Sequence, residues 1–347
     1  MIDTFRKNND DESLFALAKK YDDADEDEMA LPIFEKLAVK GHSMAQSYLG
    51  LYYENGYAGL KVNIRKAFGL YLKSAEQCCA DAMVNIGDLY KEGKLPTGTN
   101  LAKAVEWYER AKELGSADAL SAIGHLYKEG LYYEKDLQKA YDCYYEAFEK
   151  ASDDEKGYHA FWMGLLFQEA GQHTDAFEYY EQAADLGVNE AYTNLGILCN
   201  LGWGTEKNDN RAFGFFSLAY NKGVKSAAKW LADCYRDGQG TEVSYAKAFQ
   251  LYEEASKDDD YFALESLGEM YKEGEGCERD WRKAFDYFSQ AANLGNESAL
   301  ESLSYFYDEG GELENKDELR ECLLILRESE DDFISNVAKN RLKELSL

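Results

Sequence analysis

One short motif recurs along this chain at almost constant spacing: an apolar residue, a small residue, two others, then an aromatic that is usually Tyr. It reads Leu49-Gly50…Tyr53, Ile86-Gly87…Tyr90, Ile123-Gly124…Tyr127, Leu231-Ala232…Tyr235 and Leu267-Gly268…Tyr271, with looser copies at Gly164…Phe167, Leu195-Gly196…Cys199 and Leu303-Ser304…Tyr307. The small residues stand at 50, 87, 124, 164, 196, 232, 268 and 304, giving steps of 37, 37, 40, 32, 36, 36 and 36 residues. Self-similarity at such a period marks a repeat array, in which each unit buries its apolar face only against its neighbours.

A second marker follows each copy, an Ala with an aromatic four residues later: Ala67/Tyr71, Ala104/Tyr108, Ala140/Tyr144, Ala176/Tyr180, Ala212/Phe216, Ala248/Tyr252 and Ala284/Phe288. Lys or Arg precedes most of these alanines, and Leu17-Ala18 with Ala30/Phe34 extends the series upstream. Offsets −1, 0 and +3 of the first marker, and 0 and +4 of the second, each fall on one helical face. A small residue where two helices cross permits close approach, and the aromatics fill the remaining space. Gly56, Gly93, Gly130, Gly202, Gly238, Gly274 and Gly310 follow six residues after the small position, where a left-handed helix stop belongs. With only Pro32 and Pro96 in the chain against 28 glycines, the pattern predicts an all-α fold: a right-handed α-solenoid of antiparallel helix pairs.

These residues resemble the tetratricopeptide superfamily, and more narrowly its Sel-one-like repeat branch. That branch is matched by the 36-residue period, the long loop between the paired helices, the Gly-x-Gly loops Gly238-Gln239-Gly240 and Gly274-Glu275-Gly276, and the Lys-Ala steps Lys247-Ala248 and Lys283-Ala284. Two copies depart: Ala18 to Ala30 and Gly164 to Ala176 are each 12 residues, the shorter spacing of plain tetratricopeptide units. The resemblance spans residues 11–336 and implies protein–protein adaptor work rather than one activity. Residues 1–10 are expected to form a tail and 337–347 a capping helix. Ala140 to Ala160 is 20 residues where 15 is usual, which suggests a bend near 151–157 or a loop insertion without consequence.

Lys and Arg number 38 and Asp and Glu 66, a net charge of −28, so phosphate-backbone binding is not the expected main role. No apolar run approaches the ~20 residues that span a bilayer, and residues 1–11 lack the apolar stretch of a secretory signal. The seven cysteines (78, 79, 143, 199, 234, 277 and 322) have no recurring spacing and form no zinc pattern, and the cysteine-rich secreted relatives pair cysteines within each repeat, which this spacing does not allow. A reducing cytoplasm is expected, a mature secreted form being the alternative. The four histidines form no His-Glu-x-x-His pattern and no marked nucleophile, so no enzyme activity, metal or cofactor is expected. The Gly-x-Gly loops recur with the repeat and lie between helices, which makes them turns rather than phosphate cradles. The acidic run Asp22–Glu28 is a solvated turn or, alternatively, a docking point for a basic partner.

The first helix of each pair carries a second stripe, at offsets −3, +1 and +4 from the small residue. In tetratricopeptide relatives, matching positions line a concave groove that holds an extended peptide. Here the +4 column contains Lys91, Lys128, Asn200, Arg236 and Lys272, and the −3 and +1 positions include Asp88, His125, Phe161, Leu165, Ile197, Lys229 and Asp233. Phe161, Leu165 and Ile197 are expected to floor a partner-binding groove flanked by cations. The competing reading of the charges is local i, i+3 pairing, as for Asp88–Lys91 and Asp233–Arg236. The expected partner is a protein segment or helix. The alternative function is an inhibitory binder of the antidote or immunity type that neutralises a basic toxin or effector.

Overall fold

The computed structural model describes residues 2–296 except residue 154, with side chains from Asp10 onward, and scattered positions beyond 296. It is all helical among the described residues. The helices are α1 (Ile2–Asp22), α2 (Asp27–Val39), α3 (Ser43–Asn55), α4 (Ile64–Ala75), α5 (Ala80–Lys91), α6 (Leu101–Glu113), α7 (Ala117–Glu129) and α8 (Leu137–Lys150). They continue as α9 (Lys156–Glu169), α10 (His173–Asp185), α11 (Glu190–Leu201), α12 (Asp209–Asn221), α13 (Ala227–Asp237), α14 (Tyr245–Ala255), α15 (Tyr261–Glu273) and α16 (Trp281–Asn293). Odd-numbered helices (A) carry the first marker and even-numbered ones (B) the second, so the chain is an α-solenoid of hairpins. Two compact units divide it, residues 1–172 and 173–347.

The period has a direct steric cause. A Cβ on Gly50 would stand 2.5 Å from the Tyr71 ring, on Gly87 2.3 Å from Tyr108, on Gly196 2.5 Å from Phe216 and on Gly268 2.7 Å from Phe288. Gly50, Gly87, Gly124, Gly196 and Gly268 are therefore the floor on which the aromatic of their own B helix lies, and Tyr71, Tyr108, Tyr144, Tyr180, Phe216, Tyr252 and Phe288 are all fully buried. The aromatics thus seal each hairpin internally rather than only the gaps between hairpins. The Lys-Ala step is explained as well: Lys66, Lys103, Lys139, Lys247 and Lys283 lie 3.8–5.3 Å over the rings of Tyr53, Tyr90, Tyr127, Tyr235 and Tyr271 of their own hairpins.

The A–B loop is closed at both ends. The A helices stop at left-handed glycines, and the backbone N–H of Asn63, Asn100, Asp136, Asn208, Ser244 and Asp280 donates to the carbonyl at offset +3 of the preceding A helix. In five of these loops the same residue then caps the B helix, as where Asn63 Oδ1 accepts from the Lys66 N–H at 3.0 Å.

The tail expected over 1–10 is helix from Ile2, because no Gly or Pro interrupts the run from Ile2 to Asp22. The insertion at 151–157 lies within the first unit, between α8 and α9, which pack on each other; the division into units falls later, after Gln172. The capping helix over 337–347 lies mostly outside the described residues, although Leu342 is described and buried with Leu303 and Leu323.

Candidate functional site

In the first unit the expected groove residues belong to α5, α7 and α9, and all are half-buried. Asp88 Oδ1 accepts from the Tyr108 hydroxyl at 2.7 Å and from Lys91 Nζ at 2.8 Å. Lys128 bonds Glu129 and lies 3.0 Å from Glu169, whose other oxygen takes Lys135 at 2.7 Å. These cations are neutralised in place, so local pairing is what the geometry supports for the +4 column. His125 presents its ring to Trp162, centroids 6.3 Å apart, and Trp162 in turn meets Phe161 edge to face at 6.1 Å. Burial, with Lys91 next, lowers the His125 pKa, keeping the imidazole neutral. Beneath it, buried His159 shares a 2.8 Å hydrogen bond with Ser121 and joins α9 to α7.

Two residues that the sequence stripe missed dominate this surface. Tyr158 is 59% exposed and Trp162 39%, on the same face of α9 as Phe161 and Leu165. Their i, i+4 spacing was visible, but α9 is apolar on every side, so no stripe singled out the solvent face.

In the second unit the same columns are largely structural. Asp233 accepts from the buried Tyr252 hydroxyl and pairs with Arg236 at 3.6 Å; Arg236 also binds Asp237 at 2.7 Å and reaches Ser266 at 3.4 Å. Lys272 pairs with Glu269 at 2.9 Å, and Asn200 donates to Gln239 across adjacent hairpins at 2.9 Å. Lys229 lies between Trp230 and Phe262, 4.0 and 4.3 Å from their ring centres. Ile197 is half-buried at the +1 position of the hairpin whose buried aromatic is Phe216. Phe216 has no hydroxyl to satisfy, whereas Tyr108 and Tyr252 each find an Asp at +1. Phe161 and Leu165 belong to the first unit and Ile197 to the second, so the expected floor divides between the two.

The titratable groups offer little chemistry. Burial pushes the Cys143 thiol up to about 11 and Cys234 up to about 12, away from nucleophilic thiolate character. Among the described residues no group of three or more His, Cys, Asp or Glu could hold a metal ion. No described helix is long and apolar enough to cross a membrane.

Comparison with known proteins agrees with this geometry. The Sel1 repeat family matches residues 43–77, 80–116, 117–152, 159–188, 189–224, 225–260 and 262–296, each stretch an A–B hairpin. Among solved structures, c5321, a protective antigen of uropathogenic Escherichia coli strains with an SLR fold, is 24% identical with a TM-score of 0.59, over 91% of this chain and 68% of that one. A Sel1 repeat protein from Oxalobacter formigenes is 26% identical over 80% of this chain and 96% of its own, with a TM-score of 0.46. Yeast Tom70 is 18% identical with a TM-score of 0.51, over 82% of this chain and 59% of Tom70. No curated protein matches the sequence. With more than half of its residues in matched repeats, the chain belongs to the Sel1 repeat family.

Proposed function

We propose that the protein is a non-enzymatic interaction scaffold that takes a partner protein's segment on the A-helix face of its first unit, around Tyr158, Phe161, Trp162, Leu165 and His125. The observation that carries this reading is the exposure of Trp162 and Tyr158 on a face whose charges are otherwise paired. Large aromatic side chains left half in water, beside a neutral imidazole, are the surface a partner's apolar residues desolvate most favourably. The cations then serve orientation and rim polarity, since Lys91 and Lys128 already have carboxylate partners. Captured partner should dissociate at least about tenfold faster from Trp162→Ala, with association little changed, while the melting temperature stays close to wild type. Unchanged dissociation from both Trp162→Ala and Tyr158→Ala rejects the face.

An inhibitory binder of a basic toxin or effector is the second reading, supported by the net charge of −28. A single strongly basic captured protein, released by moderate salt, would favour it. The six described cysteines are free thiols, which supports a reducing compartment such as the cytoplasm.

A further inference from the structure

Four of the A–B loops, those after α5, α11, α13 and α15, rest on the start of the preceding hairpin's B helix. In the second unit, a Cβ on Gly204 would stand 2.2 Å from the His173 carbonyl oxygen that opens α10. One on Gly240 would be 2.2 Å from Asp209 O at the start of α12, and one on Gly276 2.4 Å from Tyr245 O at the start of α14. Trp203 adds a ring stacked on His173, centroids 4.5 Å apart. In the first unit, Leu95 of the loop after α5 is buried in the cluster that includes Ile64 and Phe68 of α4 and Tyr90 of α5.

One seat has no loop to fill it. The connection from α9 to α10 is only residues 170–172, where the other A–B loops between α3 and α16 run to seven residues or more. It is the short, plain tetratricopeptide-like copy seen in the sequence. The seat it leaves, on the start of α8, is an open cleft of about 320 Å³ lined by Leu137, Tyr141, Leu166, Phe167 and Ala170, with Gln138 and Gln172 as its polar members. The correspondence is residue by residue: Leu137 and Tyr141 stand where α4 has Ile64 and Phe68, and Phe167 where α5 has Tyr90. The two aromatic pairs even share their geometry, edge to face at 5.5 Å for Tyr141–Phe167 and 6.1 Å for Phe68–Tyr90. Lys135 is paired with Glu169 at 2.7 Å and the Gln138 amide is held by Asp142 at 3.0 Å, so the polar groups at the rim have partners and the mostly apolar lining calls for an apolar occupant.

We propose that this cleft is a docking seat for a turn of a partner protein that inserts one leucine-sized apolar side chain, doing from outside what Leu95 does from within. The occupant's chemistry follows from Leu95, which is buried with Ile64, Phe68 and Tyr90, the residues that Leu137, Tyr141 and Phe167 match here. The inference does not depend on the α9 face proposed above, because Tyr158 and Trp162 do not line the cleft.

The test uses the full chain and, as probe, a ring-closed fluorescent heptapeptide with the chain's own loop sequence, Gly93 to Thr99. Fluorescence anisotropy should show saturable binding, at least about tenfold weaker for a peptide with Asp at the leucine position. Ala170→Trp, which fills the cleft from its exposed end, should abolish binding with the helical circular dichroism unchanged. Gln138→Trp on the exposed rim should act alike and serves if the first variant does not fold. Absence of binding up to about millimolar peptide, equal binding of the Asp peptide, or full binding by both Trp variants would overturn the proposal. Self-association of the wild-type chain that Ala170→Trp removes would overturn it too, by giving the seat to a second copy.

Discussion

The two units seat their A–B loops on the preceding hairpin by different means, although side-chain bonds join successive hairpins in both, as Asn200–Gln239 does in the second. In the second unit, Gly204, Gly240 and Gly276 bring loop backbone directly onto the backbone of the preceding B helix. In the first, the corresponding loop positions are Ala58, Leu95 and Tyr132, which carry side chains, and side-chain bonds join successive hairpins: Asn85 to Ser47 at 3.3 Å, Lys94 to Glu54 at 2.9 Å and Ser121 with His159 at 2.8 Å. Backbone contact is rigid and admits no side chain. Side-chain contact tolerates substitution but responds to pH and salt. One repeat period therefore supports two kinds of joint, and the surfaces proposed to bind partners both lie in the unit with the more adjustable kind.

The largest expected effect tests that contrast. Gly204→Ala or Gly240→Ala adds a Cβ within 2.2 Å of a carbonyl oxygen at φ near +70°, and should destabilise the protein by roughly 2–4 kcal/mol in chemical denaturation. Gly59→Ala or Gly98→Ala in the first unit has a similar φ but open space around it, so only the left-handed penalty of about 1 kcal/mol applies. Equal losses in both units would erase the difference.

A smaller effect is expected from Tyr108→Phe in the first unit and Tyr252→Phe in the second, each removing a hydroxyl that donates to an Asp at +1. The expected loss is about 1 kcal/mol apiece, because Asp88 keeps Lys91 and Asp233 keeps Arg236. A much larger loss in one unit would show that its carboxylate depends on the tyrosine alone.

The smallest effect is the share of the pH dependence that His159 of the first unit contributes. Burial lowers the pKa of His159, so below about pH 6.5 the unfolded chain takes up a proton that the folded chain resists. The stability tied to His159 is complete above that pH and is lost as pH falls through the folded value. His159→Gln should flatten this part of the stability–pH curve, and an unchanged slope would show that His159 is not its source.

Much of this architecture is legible in the residues, because its causes are local. The Gly–Tyr contact within each hairpin imposes the period, the glycine stops set the A-helix ends, and the short copy at Gly164–Ala176 foretells the short α9–α10 connection that opens the cleft. The role of the +1 and +4 columns is less legible, since it rests on contacts between helices. Asp88 and Asp233 read as groove positions on helical spacing alone, yet each accepts from a tyrosine about 20 residues later that only the hairpin brings near. The Gly-x-Gly loops read correctly as turns, but the need for the second glycine comes from the neighbouring hairpin's backbone. Trp162 and Tyr158 escaped notice because a helix apolar on all sides hides which side meets water.

The most direct test of the account is the Trp162 fluorescence of the full chain, isolated by replacing Trp107, Trp203, Trp230 and Trp281 with Phe in a folded background. On addition of the captured partner, the emission of half-exposed Trp162 should shift to the blue and lose its accessibility to iodide quenching, as expected when an exposed indole is desolvated in an interface. Emission and quenching that stay the same while partner binding is demonstrably complete would contradict the assignment of the α9 face as the binding surface.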